Sequence, residues 1–323
     1  MSYFKNPIFG INLISSKKNI NEFKQKSVVE FFQQLNERDH CRIISGYKGD
    51  PQWLSQESRM NEKRNRYSNV FPWDRTRIKL PIKSNSKSKS NGNGNNLDYI
   101  NASKISINDC EYIATQGPLP NTIHHFWSMC FHQSNLQNTD IIIVVMVTPL
   151  KESGMLKCEK YWPDTNCDED FTDLINQDDI DLSDLKISHQ SQNYYSDGNY
   201  QLSTFKLSSG DKIKTVYHFY YDKWADCKAP TNINDLIIIL NHLNQIKKST
   251  DNEPIPIIHC SAGVGRTGTF IAIDQLVHQN GDFLKIVDQM RNDRMMMVQT
   301  IHQLNYIKQV QLHLQSEGRN DKS

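Results

Sequence analysis

The residues best suited to chemistry lie between His259 and Gly268, reading HCSAGVGRTG. Gly263, Gly265 and Gly268 let a backbone turn tightly, so that the N–H groups of Ser261, Ala262, Gly263, Val264 and Gly265 can point at one centre. Such a ring of amides is a cradle for an anion. Two side chains would make it reactive. Cys260 stands where converging amides favour a thiolate, and Arg266 offers a planar fork that matches two oxygens of a phosphate. A thiolate below a phosphorus atom and a guanidinium beside it suit in-line displacement. His259 is placed to orient the backbone next to the sulfur. A lysine-bearing nucleotide-binding loop is a poor alternative, because no Gly-Lys-Ser/Thr follows.

Elements on either side must hold this loop. Ile255–His259 reads as a strand despite Pro256, and Thr267–Val277 as a helix whose positive N-terminal end meets the loop. Ile141–Val147 is a continuous β-branched run, expected as a central strand covered on both faces. Val216–Tyr221 reads as another strand. Helical patterns occupy Ser27–Leu54, Leu236–Leu243 (with Thr231, Asn232 and Asn234 as capping candidates), Asp282–Met290 and Met295–Leu314. Strands interspersed with helices, and a helix-rich tail, give an α/β or α+β class with a central mixed sheet.

The chain has 323 residues, 37% hydrophobic and 23% charged, with a net charge of +1. A sizeable core is possible and overall charge selects no partner. Seven cysteines at irregular spacing, with no zinc-type Cys/His pattern, point to reduced thiols, no structural disulfide and no metal. Residues 84–96 (SNSKSKSNGNGNN) are expected to be a flexible surface insertion and give no argument for nucleic acid. Residues 164–184 carry nine acidic side chains and no Lys or Arg, and read as a solvated loop. The N-terminus lacks the apolar region of a signal peptide, no apolar run is long enough to span a membrane, and neither end carries a lipidation motif. A cytoplasmic protein is expected.

His259–Gly268 resembles the signature of the cysteine-dependent protein tyrosine phosphatases. So do RNRYSNVFPWDRTRIKL (Arg64–Leu80), DYINAS (Asp98–Ser103), YIATQGPLPNTIHHFW (Tyr112–Trp127), LKCEKYWP (Leu156–Pro163) and MVQTIHQL (Met297–Leu304). The resemblance is to the tyrosine-specific branch and runs from about Ser27 to Leu314. It implies a single catalytic domain over 27–314, an N-terminal extension over 1–26 and a tail over 315–323. It also implies a twisted, largely parallel central sheet flanked by helices, no cofactor, and phosphotyrosine-containing proteins as substrates.

The resemblance further implies roles for single residues. Tyr67 would line the pocket and stack on the substrate ring; a tall aromatic wall admits a tyrosyl phosphate to the thiolate and leaves a phosphoserine short. Asn69 falls where the family often has an aspartate that holds the substrate backbone. Arg64, Arg66, Arg75 and Arg77 would form a basic rim or an ordinary solvated surface. Gln299 and Gln303 resemble the glutamines that place the hydrolytic water, Glu152 the acid that fixes the Arg266 guanidinium, and Thr267 the hydroxyl that assists thiolate departure.

A tyrosyl leaving group, with an ordinary pKa of about 10, calls for a general acid. The family supplies it from a mobile Trp-Pro-Asp loop. The literal WPD at Trp162–Asp164 belongs to the LKCEKYWP segment and comes too early in the chain. Tyr221–Pro230 (YDKWADCKAP) follows a strand and makes Asp226 the acid and Trp224 the anchor. Ala225 stands in place of proline, which loosens the loop and is expected to slow the chemistry. The alternative is a phosphotyrosine-binding module with weak or no turnover.

Overall fold

The computed structural model describes residues 27–82, 97–165, 168–170, 181–182, 184–226, 228–230, 232–279 and 281–320. The expected N-terminal extension and the 84–96 insertion lie outside the described residues. In chain order the elements are α1 (Val28–Tyr47), α2 (Gln56–Met60), β1 (Arg77–Lys79), β2 (Tyr99–Ile107), β3 (Cys110–Thr115), α3 (Ile123–Leu136), β4 (Ile141–Met146), β5 (Lys151–Glu152), β6 (Met155–Leu156), β7 (Asp168–Asp170), β8 (Lys186–Tyr195), β9 (Tyr200–Ser209) and β10 (Lys212–Tyr220). There follow α4 (Ile233–Lys248), β11 (Ile257–His259), α5 (Gly265–Gln279), α6 (Phe283–Asp293) and α7 (Ile301–Asn320).

Nine strands form one sheet in the order β1-β2-β3-β11-β4-β10-β9-β8-β7, and β5 and β6 form a separate hairpin. The sheet is mixed. β11 runs parallel to β3 and β4, and β10 parallel to β4; the remaining neighbours are antiparallel. The parallel arrangement expected from the resemblance is therefore the centre of the sheet, where helical crossovers bury both faces. Meander connections add antiparallel wings.

The apolar run in β4 shows why it is central. Ile143 and Val145 enter the core beneath α1 and α4–α7, while Ile142, Val144 and Met146 enter a second core with Phe126, Trp127 and Phe131 of α3. Alternate side chains face opposite layers, so every position has to be apolar.

Four expectations change in detail. The helix expected over Ser27–Leu54 ends at Tyr47. The strand expected at Ile255–His259 begins after Pro256, which has no N–H for the ladder, although its carbonyl accepts from Ile113 N at 2.9 Å. Part of the stretch expected as an acidic loop, Asp168–Asp170, forms edge strand β7 on β8, because backbone pairing needs no particular side chain. The helix expected from Met295 starts only at Ile301, because Met296 (φ 60°) and Val298 (φ 62°) are left-handed. Ser27 begins α1 with a reciprocal cap: its Oγ accepts from Glu30 N while Glu30 accepts from Ser27 N.

Candidate active site

β11 ends at His259 and α5 begins at Gly265, so residues 260–264 make a short turn between the middle of the sheet and a helix N-terminus. The carbonyls of this turn all face outward. Cys260 O is 3.1 Å from His259 Nδ1, and Ser261 O accepts from Gly117 N at 2.9 Å. Ala262 O and Gly263 O accept from Arg294 at 3.1 and 2.9 Å. Val264 O accepts from Gly268 N and Val298 N at 3.0 and 3.1 Å. Gly263 N points at the Cys260 sulfur at 3.3 Å, and among the described residues the amides of Ser261, Ala262 and Val264 have no acceptor. Buried amides demand partners, so a turn that has spent its acceptors on the scaffold and kept its donors is built for an anion. Gly263 is obligatory here: its φ is +71°, and a Cβ would lie 2.1 Å from Thr115 O.

Cys260 is 3% exposed. Burial pushes its thiol up, but the Arg266 charge, the Thr267 hydroxyl and amide, and the Gly263 amide outweigh burial, and the thiol sits below its ordinary value. Thr267 Oγ1 is buried beside the sulfur, with no partner other than that thiol among the described residues. Arg266 is fully buried, and its guanidinium is aimed by three acceptors. Nη1 donates to Trp224 O at 2.8 Å and lies 3.5 Å from Glu152 Oε2, and Nη2 lies 3.2 Å from Asp226 Oδ1.

Those contacts place the 221–230 segment on the site. Trp224 is wholly buried and braces the turn through Nε1 to Lys228 O at 2.8 Å. Asp226 has two further partners: its N donates to Glu152 Oε1 at 2.7 Å, and Lys157 Nζ reaches Oδ2 at 2.7 Å. The β5–β6 hairpin and the chain leaving it therefore supply both Glu152 and Lys157. Burial works against the Lys157 ammonium, but Asp226 outweighs it and holds the group above its usual range. Asp164, by contrast, is 79% exposed and pairs with Lys160. Trp162 before it is buried against the His218 and Tyr220 rings.

Tyr67 is half-buried against the core and joins the loop through its hydroxyl, 2.9 Å from Ser261 Oγ, which also donates to Lys157 O at 2.7 Å. Asn69 is exposed nearby in sequence. Gln299 and Gln303 both reach the loop: a Cβ on Gly265 would lie 3.2 Å from Gln299 Oε1 and 3.0 Å from Gln303 Nε2. Gln303 has a second task. Its Oε1 accepts from Thr300 N at 3.2 Å while Gln303 N donates to Thr300 Oγ1 at 3.2 Å, a reciprocal cap that starts α7.

His259 is fixed by a chain of polar groups. Tyr161 Oη lies 2.6 Å from His259 Nε2 and 2.7 Å from His218 Nε2. His259 Nδ1 faces a carbonyl and must carry the proton, so its Nε2 accepts from Tyr161, whose oxygen accepts from His218 Nε2–H. Both rings are neutral: burial lowers His218 to about 3 and His259 to about 4.

Arg294 and Lys157 escaped the sequence reading. Arg294 is fully buried, holds two loop carbonyls, and also donates to Asn101 Oδ1 at 2.7 Å and Ser103 Oγ at 3.2 Å. Burial lowers its pKa to about 10, so it stays a cation at neutral pH. The four arginines expected as a basic rim or a solvated surface are each bonded to the scaffold. Arg64 donates to Leu97 O and Tyr99 O, Arg66 to Gly117 O and Pro118 O, and Arg75 to Gln52 O and Asn292 O. Arg77 pairs with Asp98. These guanidiniums are tied to the scaffold because loops crossing the sheet ends present carbonyls that need donors.

Comparison with known proteins agrees with this geometry. The family model described as protein-tyrosine phosphatase matches residues 61–313. Tyrosine-protein phosphatase 1 of Saccharomyces cerevisiae is 36% identical over 301 residues, covering 79% of this chain and 83% of that protein. Tyrosine-protein phosphatase 1 of Schizosaccharomyces pombe is 32% identical over 295 residues, 85% of this chain and 49% of that one. Tyrosine-protein phosphatase 2 of the same yeast is 31% identical over 308 residues, 90% of this chain and 39% of that one. A thiol held below its ordinary pKa beside inward amides and a guanidinium, which in turn meets the Asp226 carboxylate, accords with what these likenesses establish: the chain belongs to the protein-tyrosine phosphatase family.

Proposed function

We propose that residues 27–314 form the catalytic domain and hydrolyse phosphotyrosine in proteins through a cysteinyl-phosphate intermediate. One observation carries the reading: the Cys260 sulfur lies under a turn whose carbonyls all face outward and whose free amides remain, beside the fixed Arg266 guanidinium. In the first step the Cys260 thiolate forms a bond to phosphorus, and the bond from phosphorus to the tyrosyl oxygen breaks. The loop amides from Ser261 to Gly265 and Arg266 hold the equatorial oxygens, and Asp226 gives its proton to the departing oxygen. In the second step a water placed by Gln299, with Gln303 beside it, attacks phosphorus. Asp226 takes the water's proton, and the sulfur leaves as the thiolate with help from Thr267. Glu152 and Trp224 aim Arg266, His259 steadies the Cys260 main chain, and Tyr67 forms the wall that a phenyl ring passes. Asn69, exposed beyond that wall, would meet the substrate backbone.

What supports turnover over mere binding is the carboxylate of Asp226, 3.2 Å from Arg266 despite Ala225 in place of proline. A reactive thiolate also fits a reducing compartment, which supports a cytoplasmic location; among the described residues no helix is long and apolar enough to cross a membrane. The test is Cys260→Ser. Turnover of a phosphotyrosine peptide should fall by about four orders of magnitude or more while the peptide still binds. Near-normal turnover would reject the scheme.

A further inference from the structure

Asp235 is a buried acid that the reaction does not use. It lies in the first turn of α4, 2% exposed, and no cation pairs with it among the described residues. Four hydrogen bonds hold it instead. Tyr221 Oη donates to Oδ2 at 3.0 Å, Asn232 Nδ2 donates to Oδ1 at 2.7 Å, and Asn199 Nδ2 reaches the two oxygens at 3.2 and 3.3 Å. The helix N-terminus contributes further positive potential.

Its partners matter because of where they stand. Tyr221 is the first residue after β10, anchored by its N–H to Met146 O at 2.9 Å. Asn232 is the N-cap of α4, its Oδ1 accepting from Asn234 N at 3.0 Å. Between them runs the segment that carries Trp224 and Asp226. A single carboxylate thus receives one donor from each end of that segment. Ala225 leaves the middle of the segment without the restriction that proline would impose. Fixing both ends removes conformations that the middle does not remove for itself.

We propose that Asp235 is a positioning residue for Asp226, a clasp that closes both ends of the acid-bearing loop. The inference rests on the assignment of Asp226 as general acid. It deepens that reading by naming what keeps the acid in place when proline is missing. A clasp of this kind acts on proton delivery, so its loss should depend on how much the leaving group needs a proton.

The experiment compares kcat/KM on a phosphotyrosine peptide with kcat/KM on an aryl phosphate whose phenol is acidic enough to leave unprotonated. Four purified full-length proteins are used: the natural chain, Asp226→Asn, Asp235→Asn and Tyr221→Phe. Asp226→Asn should lose activity selectively on the peptide. Asp235→Asn should lose about ten-fold on the peptide and two-fold or less on the activated ester, and Tyr221→Phe about three-fold on the peptide alone. Tyr221→Phe removes one oxygen atom and carries the test if Asp235→Asn does not fold. Equal losses on the two substrates, or none, in the Asp235 and Tyr221 variants while Asp226→Asn stays selective would overturn the clasp and leave the general acid standing. An unselective Asp226→Asn would overturn the acid assignment itself, and the clasp with it.

Discussion

Arg266 Nη1 donates to the main-chain carbonyl of Trp224 at 2.8 Å. One guanidinium, close enough for its charge to act on Cys260, therefore also holds the loop that carries Asp226. The cysteine-bearing turn and the acid-bearing loop are thus joined through one planar group with five donors.

The choice between two aspartates follows from this contact. Asp226→Ala should lower kcat on phosphotyrosine by about two to four orders of magnitude. Asp164→Ala should change it less than two-fold, because an exposed i,i+4 pair with Lys160 is a weak surface contact. Steady-state kinetics on both variants decides it, and the reverse pattern would move the acid to the other loop.

The sulfur's charge makes a second prediction. Because Arg266 and the loop donors lower the Cys260 thiol against the cost of burial, its rate of alkylation should reach half its maximum at a pH below that of an ordinary thiol. Arg266→Lys keeps a positive charge but loses the planar fork aimed by Trp224, Glu152 and Asp226. That midpoint should move up, and kcat should fall by roughly ten-fold or more. A midpoint unchanged in the variant would separate the sulfur from the guanidinium.

Stability should depend on pH through the Tyr161 pair. His218 and His259 titrate near 3 and 4 in the folded chain, against an ordinary 6.5. Below pH 6.5 the unfolded chain takes up protons that the native rings refuse. Stability is therefore complete above about pH 6.5 and is lost as pH falls toward 4. At pH 5 the loss is about 2 kcal/mol for His218 alone. Thermal unfolding from pH 7.5 to 5 should show the melting temperature falling, and His218→Gln should make the fall shallower. An unchanged slope would place the acid sensitivity elsewhere.

Arg294 provides a test of the outward carbonyls. Arg294→Met preserves bulk but leaves the carbonyls of Ala262 and Gly263 without this donor. We expect a stability loss of roughly 3 kcal/mol and weaker competitive inhibition by inorganic phosphate, since the turn loses what holds its donors inward. Inhibition unchanged in a folded variant would show that the turn keeps its shape without the guanidinium.

The parts of the site legible in the sequence are those whose geometry is local. Cys260 and Gly263 sit in one turn and Arg266 in the first turn of the helix after it, so their spacing alone points to the anion cradle, nucleophile and clamp proposed above. The double-sided burial of β4 was equally plain from its unbroken apolar run. Arg294 was not legible, because what it holds lies some thirty residues earlier in the chain, and nothing in its neighbours separates it from a surface arginine. Lys157 was hidden for the same reason: its meaning comes from Asp226, far along the chain. The partners of Arg64, Arg66 and Arg75 were not legible either, because sequence records charge but not which carbonyls are waiting. Met295–Thr300 has good helix formers, yet tertiary contacts override them, since Arg291 takes Met297 O at 2.9 Å and Val298 O at 2.8 Å.

That last segment holds a β-branched valine in a backbone region that suits glycine, one residue before Gln299. A residue so placed costs about 1–3 kcal/mol. The strained backbone of residue 298 immediately precedes a side chain whose Oε1 reaches Gly265 of the turn. Val298 is also wholly buried in the main core, so glycine at this position would relieve the backbone only by emptying the space the side chain fills.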